Sequence, residues 1–508
     1  MNPSDYRRDY AAYRSAVERE RFKRHAGLSA RPDLRPTEER YAELWTREAI
    51  EELRRARAET PAQFETERAG LRALEGAAQV KYAEAAARDV SEELRRCSDA
   101  SGFEWGGAKV AAEEAPALIA AEADVARRRA LGRRWLDALR ACDDLRASRL
   151  EAIAAAAREL GFDNRRALYE SFTGVDLGGV SAAAGAFLER TEAAFMSGLA
   201  RWAAGRLPRG AEGGPDYADQ FFFMRAARFD AYFPARDFRA LYKDALGAVG
   251  VGVESRSNLH VEDGRRPARE AGTACFPVNP PEDVRLVVGA REAGLDFYRR
   301  SFQEGGRAQM FAWASRDTAA RHPEFVRSPD AATEEGHGRL LSGLLREPAW
   351  LAAVRAARAS EALEVARRAA LVELYEARRE CASLRYALAL DAGGGARSEQ
   401  LAGEYVSLFG GATGFRHRAA AALLEADEWF RSATGLRARL FAAGFGEHLR
   451  ARHGRRWFSS RAAGEELIDI WNTASRYPVE ELARLVWGGA LSFDLMADAL
   501  TAALEGGA

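Results

Sequence analysis

Apolar residues recur along most of this chain at the three-to-four spacing of a helical face, and stretches that alternate every second residue are few. Between 4 and 97 the apolar positions are sparse among many charges. Within 62–96, Phe64, Leu71, Leu74, Val80, Val90 and Leu94 form the stripe of a predicted amphipathic helix with one solvated face. SDASGFEWGGAKV, at 98–110, interrupts the period and predicts a short strand or turn around Trp105. Helical spacing returns to about Phe162, and again over 180–204. GRLPRGAEGGPDY, at 205–217, is the clearest boundary, between an N-terminal helical region (1–204) and a second region (217–508). The aromatic-dense stretch that follows, to Gly250, predicts a core helix. Alternation is confined to 256–290, where SNLHVEDG, TACFPV and DVRLVV predict a small sheet. Helix resumes in FYRRSFQEGGRAQMFAW (297–313). There Tyr298, Phe302, Gly306, Met310 and Trp313 share one face, and Gln303, Glu304 and Arg307 lie on the adjacent one. The expected class is mainly α.

Composition narrows the function classes. The 508 residues are 47% hydrophobic and 30% charged, which suits a globular chain with a large core. The net charge of −1 offers no electrostatic case for nucleic acid or for an anionic membrane. Arg127, Arg128, Arg129, Arg133 and Arg134 cluster, but acids flank them and no aromatics interleave, so a solvated, salt-bridged face is expected. No run is long and apolar enough for a membrane span, and the charged start has no apolar leader, so a cytoplasmic protein is expected. Cys97, Cys142, Cys275 and Cys381 are widely spaced without a CxxC, which predicts four buried free thiols in a reducing compartment.

The chemistry worth weighing lies in QEGGR, 303–307. Zinc peptidases place two histidines at i and i+4 of one helix with a glutamate between them as general base. Here those places hold Gln303 and Arg307, and Glu304 alone keeps the pattern. Arginine has donors and no lone pair to give a metal, and a glutamine carbonyl is a poor zinc ligand. Taken alone, the five residues also read as a solvent-facing helix segment. The histidines form no i, i+4 pair. His337, two residues from Glu335, would point away from it on a shared helix, although a relocated metal site from Glu304, Glu335 and His337 stays open.

The flanks add a resemblance. ACFPVNPPEDVRLVVGAREAGLDFYRRSF resembles the strand, loop and helix that lead into the active-site helix of the gluzincin oligopeptidases, the families of thimet oligopeptidase, oligoendopeptidase F and angiotensin-converting enzyme. AATEEGHGRLLSGLL resembles the segment that carries their third zinc ligand, with Glu335 the better match and Glu334 the competing one. DEWFRSATGLRARLFAAGFGEHLRARHGRRWF resembles the segment that carries their carbonyl-polarising tyrosines, where this chain has Arg431 and Gly435. The resemblance runs from about Trp105 onward. It implies a two-lobed helical clamshell around a deep cleft, with a small sheet beside the former active-site helix and an edge strand open to an extended peptide.

It also implies a zinc cofactor whose histidine ligands are missing, so none is expected. Glu304 becomes a relic general base, and Gln303, Arg307, Glu335 and Arg431 become binding residues. Arg307 is expected to replace the cation by pairing with Glu335, Glu304 or both. The function expected is a catalytically inactive peptidase-like protein that binds a peptide or protein partner in the cleft or regulates an active relative. The alternatives are an active oligopeptidase or other hydrolase with a remodelled site, with or without a metal, built from Glu304, Arg307, Glu334, Glu335 and His337, and a scaffold whose cleft has filled.

Overall fold

The computed structural model describes all residues except 1, 30–33, 208–213, 253–256, 265–269, 271, 290–292, 356–357, 394–395 and 506–508. Of the boundary predicted at 205–217, residues 208–213 lie outside the described residues. Near its end, Asp216 bridges to Arg416.

The elements that position the site are, in chain order, α1 (Pro3–His25), α2 (Glu65–Ala86), the hairpin β1 (Gly102–Trp105) and β2 (Ala108–Ala111), α3 (Leu177–Ala203), β3 (Leu259–Glu262), β4 (Ala274–Asn279), β5 (Asp283–Val287), α4 (Leu295–Trp313), α5 (Ala332–Ser342), α6 (Ala359–Ala392) and α7 (Arg431–His453). Local signals explain their ends. The Asn2 side chain accepts from Ser4 N–H, Pro3 opens α1, and Lys23, Arg24 and His25 close it. The predicted turn near Trp105 is a two-residue hairpin loop, with Gly106 at φ 60° and Gly107 at φ 82°, left-handed values that suit glycine at both places.

Three elements differ from expectation. The stripe over 62–96 is two helices, α2 and a helix over Arg88–Ala100, and Phe64 stands before α2 at 55% exposure, outside the stripe. The aromatic stretch is a helix over Asp219–Arg225, 3-10 turns and a helix over Phe238–Ala248. It breaks where Ala226 has a positive φ, and Pro234, which offers no N–H, precedes a 3-10 turn. Its rings still enter the core through Phe223, Phe229, Phe233 and Phe238. The Arg127–Arg134 cluster is not all solvated: Arg128 is fully buried against Asp219.

The four-thiol expectation is corrected. Cys97 and Cys142 are joined as a disulfide, while Cys275 and Cys381 are buried and free. The helix over Arg88–Ala100 packs on the helix over Asp143–Glu159 and brings the two Cα atoms within 6.0 Å, well inside disulfide reach. That juxtaposition is tertiary and leaves no trace in sequence spacing.

The predicted sheet is present beside α4. Its strand order is β3-β5-β4, with β3 parallel and β4 antiparallel to the central strand. One large apolar cluster gathers this sheet, α4, α5 and the chain from Trp457 to Leu482. A second gathers α3, the middle of α6, the start of α7 and the last helix, Phe493–Glu505. α6 contributes to both. Among the described residues no helix is long and apolar enough to cross a membrane.

Candidate functional site

Two glycines set the geometry. α4 and α5 cross in tight contact. A Cβ on Gly306 would stand 2.6 Å from the His337 carbonyl oxygen, and one on Gly338 would stand 2.5 Å from the Gln303 carbonyl oxygen. No side chain fits between these backbones. A third glycine, Gly305, lets Tyr242 approach and donate to the Gly305 carbonyl at 2.8 Å. The close crossing brings Arg307 of α4 onto the first turn of α5, where Glu334 sits.

Arg307 there bridges two carboxylates. Its Nη1 donates to Glu304 Oε2 at 2.8 Å and its Nη2 to Glu334 Oε1 at 2.6 Å. The three side chains are only 22%, 19% and 14% exposed, respectively. Burial opposes the guanidinium's charge, but Glu304 and Glu334 overcome it and hold its pKa well above the ordinary value. The direct partner on α5 is thus Glu334. Glu335, the residue favoured from sequence, lies next to Arg339 at 3.8 Å and acts on Arg307 only at longer range. Burial, the largest cause, raises its pKa against Arg339 and Arg307.

Glu304 is doubly engaged. The same oxygen that accepts from Arg307 accepts the Cys275 N–H of β4 at 2.9 Å. β4 is one of the sheet's two edge strands, with β3 the other, and further groups an incoming peptide would use on β4 are also taken. Arg327 Nη2 donates to the Pro277 and Val278 carbonyls, both at 2.9 Å. Phe22 and Ala26, at and beyond the end of α1, pack on Phe276, Val278 and Val287. The open edge that the resemblance implied is therefore closed at 275–278.

By sequence, no family model and no curated protein matches the chain. By structure, it is similar to PZ peptidase A with an inhibitor, at TM-score 0.65 and 11% identity, over 91% of this chain and 85% of that one. It is also similar to a carboxypeptidase of Pyrococcus furiosus in an apo-Mg form, at TM-score 0.58 and 14% identity, over 98% of both chains. An M32 carboxypeptidase from Deinococcus radiodurans R1 follows at TM-score 0.53 and 13% identity, over 99% and 98%. The chain has the fold of these peptidases.

Set on that fold, the residues at the implied ligand positions do not fit zinc. Where the resemblance expects an imidazole, Arg307 has a cation and no lone pair, and it already pairs with the two carboxylates within its reach. Gln303 is half-buried with its backbone against Gly338. His337 is turned the other way, into Phe441, Phe445 and Trp471. Both its ring nitrogens lack partners, and burial lowers its pKa to about 3, so it is a neutral core residue and not a relocated ligand. Among the described residues no three His, Cys, Asp or Glu side chains are grouped to hold a metal ion.

A cavity of about 500 Å³ opens beside Arg307. Arg307, Glu334, Glu335 and Arg431 line it, and Gln303 and Glu304 do not. Arg431 is exposed at the first turn of α7, whose backbone Asp427 caps through the Arg431 and Ser432 N–H groups. At Gly435 a Cβ would meet the Glu380 carboxylate at 2.9 Å, so a side chain there requires Glu380, which pairs with Arg339 and Arg439, to move aside.

Sequence reasoning missed the opposite wall. α1 and the chain following it supply Tyr10, Tyr13, Arg14 and Trp45, and α2 supplies Lys81. Arg327 enters from the segment before α5, accepting from the Tyr10 hydroxyl through its own carbonyl at 2.5 Å. Burial first, and Arg14 second, push the Arg327 pKa down to about 9. Its guanidinium is held by carbonyls and by Ser15, with no carboxylate. The aromatic spacing of Tyr6, Tyr10 and Tyr13 was the available signal, because it marks a buried face on an otherwise charged helix.

Proposed function

We propose that this protein is a peptidase-like binding protein without zinc-dependent hydrolase activity, and that the cleft beside Arg307 receives a peptide or an extended segment of a partner. One observation carries the reading: the Arg307 guanidinium lies between Glu304 and Glu334 and supplies the positive charge a metal would bring. Hydrolysis by a metal enzyme depends on a cation that activates water and polarises the carbonyl. A guanidinium cannot lower the pKa of a water by coordinating it, and Glu304 is occupied by Arg307 and by the Cys275 N–H.

The cleft keeps the character of a binding site. Tyr13, Trp45, Phe172 and Phe311 offer apolar contact area, and Arg14 and Arg327 face it without ion-pair partners among the described residues. A ligand with a carboxylate beside an aromatic or aliphatic side chain suits these walls. The closed β4 edge supports recognition through side chains instead of strand pairing. The similarity to peptidases such as PZ peptidase A supports a peptide-sized ligand. Regulation of an active relative by competition for such peptides belongs to the same proposal.

Elemental analysis of the purified chain, together with peptide cleavage assays with and without chelator, tests the inactive half. Zinc far below one ion per chain and no cleavage are expected. Stoichiometric zinc with chelator-sensitive turnover refutes the reading. Fluorescence anisotropy with a pool of labelled acidic peptides tests the binding half, and saturable binding weakened by Arg327→Gln is the expected result.

A further inference from the structure

A second cavity, of about 640 Å³, lies away from the cleft between α3, α6 and the last helix. Five arginines line it: Arg201, Arg206, Arg228, Arg367 and Arg368. The carboxylates on its wall are Glu364 and Glu505. Arg228 pairs with Glu364 at 2.7 Å. The others are held by neutral groups: Arg201 by the Ser197 hydroxyl, Arg206 by the Trp202 carbonyl and Arg367 by the Glu505 backbone carbonyl.

Arg368 is the residue that requires explanation. It is 6% exposed, its Nη2 donates to the Phe223 carbonyl, and its guanidinium lies 4.1 Å from the centre of the Phe223 ring. Its Nη1 is buried with no partner. Burial, then Arg228 and Arg206, pull its pKa down to about 9; Asp296, the acid that opposes this, is already held by Arg299 and Arg300. Arg206 is likewise lowered, by burial and by Arg228. Every other buried arginine among the described residues, apart from Arg327 in the cleft, pairs with a carboxylate. The two exceptions each line a cavity, which is where an external anion can complete them.

We propose that this second cavity is a binding site for a polyphosphate anion, either free or carried by a nucleotide. Guanidinium forks match phosphate oxygens two at a time, and several converging arginines call for several negative charges on one ligand. A lone carboxylate would leave most of the mutual repulsion in place. The apolar part of the wall, Trp202, Phe222, Leu371 and Leu504, gives a base or another planar group a surface to lie on. The proposal is independent of the peptide reading, since no residue of this cavity lines the cleft.

Isothermal titration calorimetry of the full chain with pyrophosphate and with ATP, at one fixed salt concentration, is the test. Saturable one-to-one binding with a Kd below about 1 mM is expected. Arg206→Gln and Arg228→Gln, at solvent-accessible positions where folding is not at stake, should each weaken it about tenfold. Arg368→Met should abolish it, with an unchanged circular dichroism spectrum as the check on folding. Tighter binding of ATP than of pyrophosphate assigns the apolar wall to the base, and equal binding assigns the site to polyphosphate itself. Failure of both anions to saturate, or binding that the Arg206 and Arg228 variants leave unchanged, overturns the proposal.

Discussion

At the scale of single residues, the site is decided by charge compensation. Arg307 and its two carboxylates are mostly buried, and each is tolerable there only because the others are present. Replacing Arg307 with Met should cost about 2–3 kcal/mol, somewhat below the range for a fully buried pair because the side chains keep some exposure to water. Adding Glu334→Gln should recover part of that loss, and urea denaturation of the single and double variants measures the coupling. Additive losses would show that the bridge does not hold in solution. His337 gives a second residue-scale prediction. Its folded pKa of about 3 lies below the ordinary histidine value, so below about pH 6.5 the unfolded chain binds a proton that the native chain does not. Stability should therefore decline as pH falls from about 6.5 towards 3, by roughly 2 kcal/mol from this residue at pH 5. His417, also lowered to about 3, adds to the same slope. His337→Leu should flatten part of it and, by removing two unsatisfied buried nitrogens, stabilise the protein at pH 7 by about 1–3 kcal/mol. Chemical denaturation across pH 4–8 checks both effects.

At the scale of elements, the packing of α4 on α5 creates the site. Gly306 and Gly338 face backbone atoms and not the movable ends of side chains, so an added methyl forces the helices apart. Gly306→Ala should cost about 1–3 kcal/mol or more and weaken the Arg307–Glu334 contact along with it. Thermal melting, with the Arg307→Met double variant as comparison, reads both, because the two losses should then be less than additive. The period of apolar residues revealed α4, and alternation revealed the three strands of the sheet. Which glutamate of α5 would meet Arg307 was not legible. Glu334 and Glu335 are adjacent on a helix, about 100° apart, and the rotation of α5 is set by Gly336, whose missing Cβ lets Phe441 of α7 close in. The β4 edge was misjudged for a related reason. Its closure by Arg327 and by the end of α1 comes from segments distant in sequence.

At the scale of the molecule, aromatic and charged side chains wall the cavity beside Arg307, and the ligand proposed for it is anionic and partly apolar. Chelation should leave the melting temperature unchanged. A bound peptide at a hundred times its Kd should raise stability by about 2.7 kcal/mol, a shift that differential scanning calorimetry detects. A chelator-induced drop in melting temperature would count against the absence of a structural or catalytic ion.

The sequence by itself determined the helical class, the small sheet and the lack of a metal-binding lone pair on the Arg307 guanidinium. Those follow from periodicity and from which side chains own lone pairs, properties a residue carries wherever it is placed. Tertiary structure alone decided that Glu334 is the partner of Arg307 on α5, that Cys97 meets Cys142, that His337 is core, and that Arg14 and Arg327 face the cleft. Each depends on distances between segments far apart in the chain, and these are set by how helices rotate and approach as they bury their apolar faces.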